Sequence, residues 1–426
     1  MKGVYSLSEK KRIVLMPSYM KSFNCIGSAC EDSCCIGWRV ELDKETYLKY
    51  SKIQNKELKP ILNKMIKRKH NQKSDDSYGV IKMNEEGKCP FLDEQSLCMI
   101  HRNLGPGYLS ETCSFYPRNV RKVDGKFERS AAMSCPEVVR LALLNPEGMG
   151  FEQVEEDESE KIYINGIFDT EGHLFLNKPE RYFWDIRMFS LGLLQNREYT
   201  LDERLILLGI FYKKIEALQQ NNKIEDIPAV IESMNNSINE KSFKNEMGKI
   251  ETKTAVQFNF AKKMIYEKAK KGITSERYTE CLKETFLGLS YKEPNFNDQI
   301  EENSEEVLKK YEENYQKYLM TYLKEKEYIF ENFLVNEYFR ELMPFGKYRN
   351  IWDSYIHLCM MYSIVKFNLT GMSGYHEKIT DELTIKLIQS FAKIFTHNTQ
   401  YIQGMIKAIK DNDFNSLAYM TILVKN

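Results

Sequence analysis

The chain has 426 residues, enough for two to three domains and for a large core that needs no covalent staples. Lysine plus arginine equals aspartate plus glutamate at 61 each, and this zero net charge argues against a strong nucleic-acid or anionic-membrane footprint. The apolar fraction of 42% is slightly low, but an aromatic share of 12% makes the buried surface rich per residue.

The N-terminus, MKGVYSLSEKKRIVLMPSYM, lacks a long apolar stretch followed by a small-residue cleavage site, so no secretory signal is expected. No run approaches the roughly 18 apolar residues that span a bilayer. The expectation is a cytoplasmic protein with no membrane insertion. Thiols stay reduced there, so clustered cysteines point to metal binding or catalysis before disulfides.

Eight of the ten cysteines lie between Cys25 and Cys135. Residues 1–146 therefore read as a cysteine-rich, metal-binding domain of short helices and loops. Cys25, Cys30, Cys34 and Cys35 fall within CIGSACEDSCC, and Cys89, Cys98, Cys113 and Cys135 follow. Thiolates are soft donors suited to zinc or to iron–sulfur clusters. A four-cysteine site holds one zinc ion or one cubane cluster, so eight thiols supply two sites, or one site and spares. His101 in CMIH is a candidate nitrogen ligand. If the backbone is extended at Cys34 and Cys35, the two point to opposite faces, and one ligates while its neighbour packs or serves a second site. Cys281 and Cys359 are isolated and read as small buried hydrophobes. The radical S-adenosylmethionine loop CxxxCxxC is not matched: Cys30 and Cys34 start it, but Gly37 stands at its third cysteine position.

LDKETYLKYSKIQNKELKPILNKMI, from Leu42, carries the clearest helical periodicity of the first region. Residues 147–178 read as a connector, acidic at first, whose runs IYINGIF and HLFL suggest a small β element with one hairpin. From residue 179 to 426 the pattern is helical, which makes the fold mainly α. Thr200 and Glu203 form a capping-box signal before a stripe from Leu201 to Leu218. Residues 221–298 are polar with broken helical patterns, and Glu301–Phe345 is helical again. Trp352 to Phe367 is apolar on more than one face and reads as a buried helix. A last long helix carries Leu387 through Ile409, with His397 beside its stripe and Asn398 on it.

Polar candidates are few. Glu137 in SCPEVVR lies close to Cys135 and is the candidate base or ammonium binder. Its plain alternative is an i,i+3 pair with Arg140. Asn332, Asn336 and Arg340 recur every four residues and share one helix face. Arg340 is able to hold a carboxylate bidentately, but such a stripe is ordinarily a solvated face. Tyr116, Trp38 and Arg39 flank cysteine motifs and either line a pocket or pack.

The opening motif MPSYMKSFNCIGSACEDSCCIGWRV resembles, with wider spacing, the CxxCxxCC zinc- or iron-chelating domains, and CPFLDEQSLCMIHRNLGPGYLSETCSFYPR is similar to them as well. With FERSAAMSCPEVVRLAL, LLQNREYTLDERLILLG and ENFLVNEYFRELMPF following in order, the whole arrangement resembles the flagellin lysine-N-methylase (FliB) family. That resemblance implies methyl transfer from S-adenosylmethionine to flagellin lysine side chains. It also implies a cysteine-bound centre of the iron–sulfur (4Fe-4S) type, with zinc as the alternative. Carried over by position, the candidate ligands are Cys25, Cys30, Cys34, Cys35, Cys89, Cys98, Cys113 and Cys135.

The methyl donor needs its own recognition groups, and no GxGxxG turn is present. GMSG at Gly371 sits among helical patterns. A Rossmann methyltransferase is therefore not expected, and Asn332, Asn336 and Arg340 are the cofactor-binding candidates. A cubane cluster with an open iron would chelate the donor without a glycine turn, whereas a purely structural metal is the rival role. Two other functions compete. A metal carrier needs only the cysteine region and leaves about 240 helical residues without a task. A redox protein would need electron partners, and no flavin or nicotinamide motif is visible.

Overall fold

The computed structural model describes residues 11–37, 40–69, 75–158, 162–291, 304–348 and 350–426. Trp38 and Arg39 lie outside the described residues. Eight strands occur among those described: β1 (Lys11–Pro17), β2 (Val40–Leu42), β3 (Ile66–Arg68), β4 (Gly79–Ile81), β5 (Arg118–Val123), β6 (Lys126–Ala131), β7 (Phe151–Asp157) and β8 (Ile164–Phe168). Five of them form one sheet in the order β7-β1-β6-β5-β8, and β2-β4-β3 form a second, small one. The rest is predominantly helical, as the pattern of apolar residues predicts.

The first 146 residues hold more strand than the short helices and loops expected of them. β5 and β6 make a hairpin around Asp124 and Gly125, whose φ angles of 46° and 80° are both left-handed. A two-residue turn that follows strand twist needs that conformation, and Asp-Gly supplies it. β1 runs parallel to β6 and antiparallel to β7, with Lys11 opposite Asp157 and Pro17 opposite Phe151.

The hairpin expected within residues 147–178 does not form. β7 pairs with β1, β8 pairs with β5, and the two strands lie at opposite edges of the sheet. The acidic run that hid β7 explains its partner. Glu155 and Glu156 meet Lys11 at 3.0 Å and Arg12 at 3.5 Å. HLFL is not a strand but a single 3-10 turn, His173–Phe175.

The chain packs around two cores. The small one gathers Val40, Leu42, Tyr50, Leu58, Phe91 and Ile100 beneath the β2-β4-β3 sheet. Its two helices, Lys44–Ser51 and Leu58–Met65, divide the periodic stretch from Leu42, and Asp43 caps the first by accepting from the Thr46 backbone N–H at 2.7 Å.

The large core joins the five-stranded sheet to the helical region. Helix Leu201–Gln220 starts on the Thr200–Glu203 capping box. Helix Ile351–His376 is buried nearly all round, as its apolar faces predict. It crosses helix Glu276–Gly288 so closely that a Cβ on Gly288 would lie 1.9 Å from the Gly371 carbonyl oxygen. GMSG is thus a helix-crossing motif. Cys281 and Cys359 are fully buried apolar packers, as expected.

The final long helix is two helices, Asp381–Phe395 and Thr399–Asp411. Asn398 is exposed in the break and caps the second by accepting from the Tyr401 N–H at 3.0 Å, so it is no buried stripe residue. Asparagine competes with helical backbone bonds by bonding locally, which favours a cap over a helix interior. Among the described residues no helix is long and apolar enough to cross a membrane.

Candidate thiol site

The eight clustered cysteines are all free thiols. Cys35, Cys89, Cys98 and Cys113 belong to the small core or pack against it. The Cys89 N–H donates to the Cys35 carbonyl at 2.8 Å, and Cys98 pairs with Leu92 in an isolated β-bridge. Cys113 stands in helix Glu111–Phe115, where its N–H donates to Ser110 Oγ at 3.2 Å. Burial pushes the Cys89 thiol up to about 11 and the Cys113 thiol up to about 12, and neighbouring thiols add to both shifts.

Cys25, Cys30 and Cys135 lie apart from these four. Cys25 is exposed, Cys30 is half-buried on the same loop, and Cys135 packs against the large core at the start of helix Pro136–Leu143. Burial raises the Cys135 thiol to about 12, with Cys30 and Cys25 adding. Cys34 is exposed and bonded to Cys35. Its thiol is lowered to about 7, first by the hydrogen bond from Cys35 and further by the Lys393 cation. Among the described residues no three of His, Cys, Asp and Glu converge at ion-binding distance. His101 is exposed on helix Met99–Leu104.

The helical region holds the thiol loop directly. Asp32 accepts from Lys393 Nζ at 2.9 Å and from Gln389 Nε2 at 2.7 Å. Gln389 also donates to the Ser134 carbonyl at 2.9 Å, so one side chain spans from the loop to the residue before Cys135. Ser134 Oγ lies 2.7 Å from His397 Nε2 and 2.9 Å from the enclosed Tyr116 hydroxyl. His397 is exposed, while the protein on its inner side and the Arg340 cation push its pKa down to about 4. Its imidazole is therefore neutral at pH 7.

Gln389 and Lys393 lie four residues apart on one face of helix Asp381–Phe395, and His397 follows in the turn after it. Sequence reasoning missed Gln389 and Lys393, together with Asp32 and Ser134, and it named His397 without giving it a role at the thiols. The only local signal was that spacing, and nothing near it names a loop more than 350 positions away.

The other candidates are brought close but are already engaged. Asn332 is fully buried and donates to the carbonyls of Leu143 at 3.2 Å and Asn145 at 3.0 Å. Asn336 accepts from the Tyr19 hydroxyl at 2.7 Å and donates to the Ala131 carbonyl at 3.2 Å. Arg340 pairs with Glu337 at 2.8 Å and Glu341 at 2.6 Å, so its carboxylate partners come from its own helix end. The stripe Asn332, Asn336 and Arg340 is thus not a solvated face. It braces helix Met320–Arg340 against the sheet and the Pro136–Leu143 helix, since all backbone polar groups there need partners. Glu137 pairs with Arg140 at 2.5 Å, the i,i+3 arrangement, and Arg140 also reaches Glu31 on the thiol loop.

A cavity of about 500 Å³ opens at the other end of helix Met320–Arg340, lined by Asp202, Arg204, Glu327, Tyr328 and Glu331 among others, and by none of the eight thiols. Two irregularities border it: a π-helical turn at Tyr315–Leu319 and a kink at Lys326. Such breaks recur at functional sites.

Residues 187–423 match the FliB lysine N-methylase C-terminal domain. The chain belongs to that family. Lysine-N-methylases of Salmonella typhimurium and Salmonella choleraesuis are each 32% identical to it over 218 residues, covering 51% of this chain and 50% of theirs. The flagellar biosynthetic protein FliU of Salmonella muenchen is 36% identical over 143 residues, 33% of this chain and 82% of its own length. The chain thus spans about half the length of the curated lysine-N-methylases it matches. No solved structure matches it. Gln389 and Lys393, which hold the thiol loop, and His397, which meets Ser134, all lie within the stretch that matches the FliB family.

Proposed function

We propose that this chain is a protein-lysine N-methyltransferase that moves methyl groups from S-adenosylmethionine to flagellin lysines, with a thiolate-held centre beside the reacting groups. The observation that carries the reading is one contact set. The domain shared with lysine N-methylases grips the cysteine loop and the Cys135 motif through Lys393, Gln389 and His397. A helical domain unrelated to the thiols would have no reason to supply both anchors.

The donor set suits an iron–sulfur centre. Cys25, Cys30 and Cys135 are soft donors, the last of them at the edge of the large core. When bound, such a centre would supply a chelating point for the amino and carboxylate groups of the methyl donor. The chain does the rest. Lys393 neutralises Asp32 and fixes the loop. Tyr116, Ser134 and His397 set the backbone that carries Cys135.

The acceptor amine has a free pKa of roughly 10.4 and must lose a proton before it attacks the methyl carbon. Glu137 is partly exposed two residues after Cys135. We assign it to hold the incoming ammonium and to draw off that proton, from the position where it now pairs with Arg140.

The test is to purify the protein without oxygen, measure iron, acid-labile sulfide and zinc, and incubate it with flagellin and S-adenosylmethionine. Flagellin peptides that gain methyl mass on lysine, in amounts that track iron and sulfide, support the reading. Transfer by a zinc-only protein would make the metal structural and move the donor site to the 500 Å³ cavity. No transfer by a metal-loaded chain would sink the enzymatic reading.

A further inference from the structure

We infer that Arg118 binds the carboxylate of the methyl donor: its guanidinium is a half-buried fork held over the Phe23 ring, and no described residue pairs with it. The inference rests on the proposed S-adenosylmethionine-dependent methyl transfer.

Strand register sets its place. Arg118 opens β5 directly after Tyr116 and Pro117, opposite Ala131 on β6. The residue after Ala131, Ala132, donates its N–H to the Pro117 carbonyl at 2.9 Å, and the Cys135 N–H donates to the Ala132 carbonyl at 3.2 Å. Arg118 thus stands beside the backbone that carries the Cys135 motif. Its guanidinium carbon lies 5.0 Å from the centre of the Phe23 ring. Phe23 is buried in the large core two residues before Cys25, so the ring is a fixed platform. An arginine laid on an aromatic face keeps its in-plane N–H groups for a ligand, and its fork matches the two oxygens of a carboxylate.

The charge has no internal use. Arg129 faces Val120 across the hairpin, which puts it on the same sheet face as Arg118. Arg129 is held by both oxygens of Glu156, and Arg12 meets that same carboxylate at 3.5 Å. The buried Arg187, Arg204 and Arg340 likewise pair with glutamates. Among the described residues Arg118 has no hydrogen bond or ion pair; its one contact of this kind is the Phe23 ring. Burial and the Arg129 cation both disfavour its charge. A partly buried cation without an anion is costly, and a ligand that brings the anion removes that cost. S-adenosylmethionine ends in an amino-acid carboxylate and has no phosphate, so a single fork suits it. A carboxylate has lone pairs enough to accept from Arg118 and still make a second contact. Glu137, assigned above to the acceptor amine, follows Cys135 by two residues, so donor and acceptor are gripped around one motif.

The test is equilibrium binding of S-adenosylhomocysteine, and of its analogue lacking the carboxylate, to the anaerobically purified full chain and to its Arg118→Met and Arg118→Lys variants. The expected result is a coupled loss. Wild type binds the decarboxylated analogue ~10- to 100-fold more weakly, the scale of charge-assisted hydrogen bonds. R118M loses a similar factor for S-adenosylhomocysteine and little more for the analogue. R118K keeps the charge without the fork and falls between. Equal binding of the two compounds by wild type would overturn the inference whether or not the variants fold. So would wild-type affinity of R118M for S-adenosylhomocysteine, and a loss of flagellin affinity in that variant would then give the arginine to an acidic side chain of the protein substrate. A wild type that binds neither compound and transfers no methyl group to flagellin would sink the enzymatic reading itself, a result distinct from the other two.

Discussion

Ser134 Oγ lies 2.7 Å from His397 Nε2, a contact that ties the residue before Cys135 to a helix break 263 positions further along the chain. The imidazole works here by position. It is neutral at pH 7, it has Tyr116 on the far side of Ser134, and its edge is open to solvent. On the proposed function, His397→Ala is expected to cost ~10- to 100-fold in methyl transfer, the scale of a small misplacement near reacting groups. Stability should change by no more than about 1 kcal/mol, because the ring is not a core residue. Asparagine at 397, which keeps a hydrogen-bonding end, should recover part of the rate. A variant as fast as wild type in a methyl-labelling assay would remove this role.

The pair Glu337 and His357 sets how the fold responds to acid. His357 is fully buried, and burial lowers its pKa despite the Glu337 carboxylate 3.2 Å away. Burial alone would raise Glu337, but Arg340, His357 and Lys347 outweigh it and hold the carboxyl well below its usual range. Both groups resist protonation in the folded chain. Their stability contribution is therefore complete above about pH 6.5, falls first as the unfolded histidine takes up a proton, and falls again below about pH 4.5. Urea unfolding between pH 8 and 4 should show that decline, and His357→Asn should flatten its upper part. An unchanged slope in the variant would assign the decline to other groups.

How much of this was readable in advance depended on how local the cause was. The Thr200–Glu203 capping box and the buried Trp352–Phe367 stripe were legible because cap and periodicity act within a few residues. The β5–β6 hairpin is equally local, carried by Asp124-Gly125 between two short runs. β1 and β7 could not be paired from the sequence, since their partners lie some 140 positions apart and β7 is acidic. At the site the thiols were visible as a cluster of candidate ligands. Their anchors Gln389 and Lys393 were not, because nothing in a helix repeat says which loop it will meet.

Gly288 and Gly371 make the closest helix crossing a clear target. A Cβ on Gly288 would stand 1.9 Å from the Gly371 carbonyl oxygen, and one on Gly371 would stand 2.6 Å from the Thr285 carbonyl oxygen. These neighbours are backbone and cannot swing aside, so the helices must part. Alanine at either position should cost about 1–3 kcal/mol, with Gly288 at the upper end. Gly192 is the control. It is helical, with nothing within 4 Å of its added Cβ, and alanine there should be neutral or stabilise by up to about 1 kcal/mol. Equal melting temperatures for G288A and G192A would show that the crossing is looser than these distances imply.

Arg187 and Glu128 join the helical region to the strand that leads into the thiol motif. Two hydrogen bonds of 2.6 and 2.9 Å connect them, and the side chains are 1% and 2% exposed. Arg187 also donates to the Phe339 carbonyl at 3.1 Å, so it links β6 to helix Met320–Arg340 as well. Removing the cation alone leaves a carboxylate in an apolar setting. Arg187→Met should therefore destabilise by about 3–5 kcal/mol, and Glu128→Gln by a similar amount for the opposite reason. The double variant strands neither charge and should cost clearly less than the two singles added together. Because Cys135 follows β6 by four residues, the proposed function implies that the single variants also lose methyl transfer at temperatures where they remain folded. Additive losses in the double variant, measured by urea unfolding, would mean that the pair is not a coupled charge pair and that the sheet is held by packing alone.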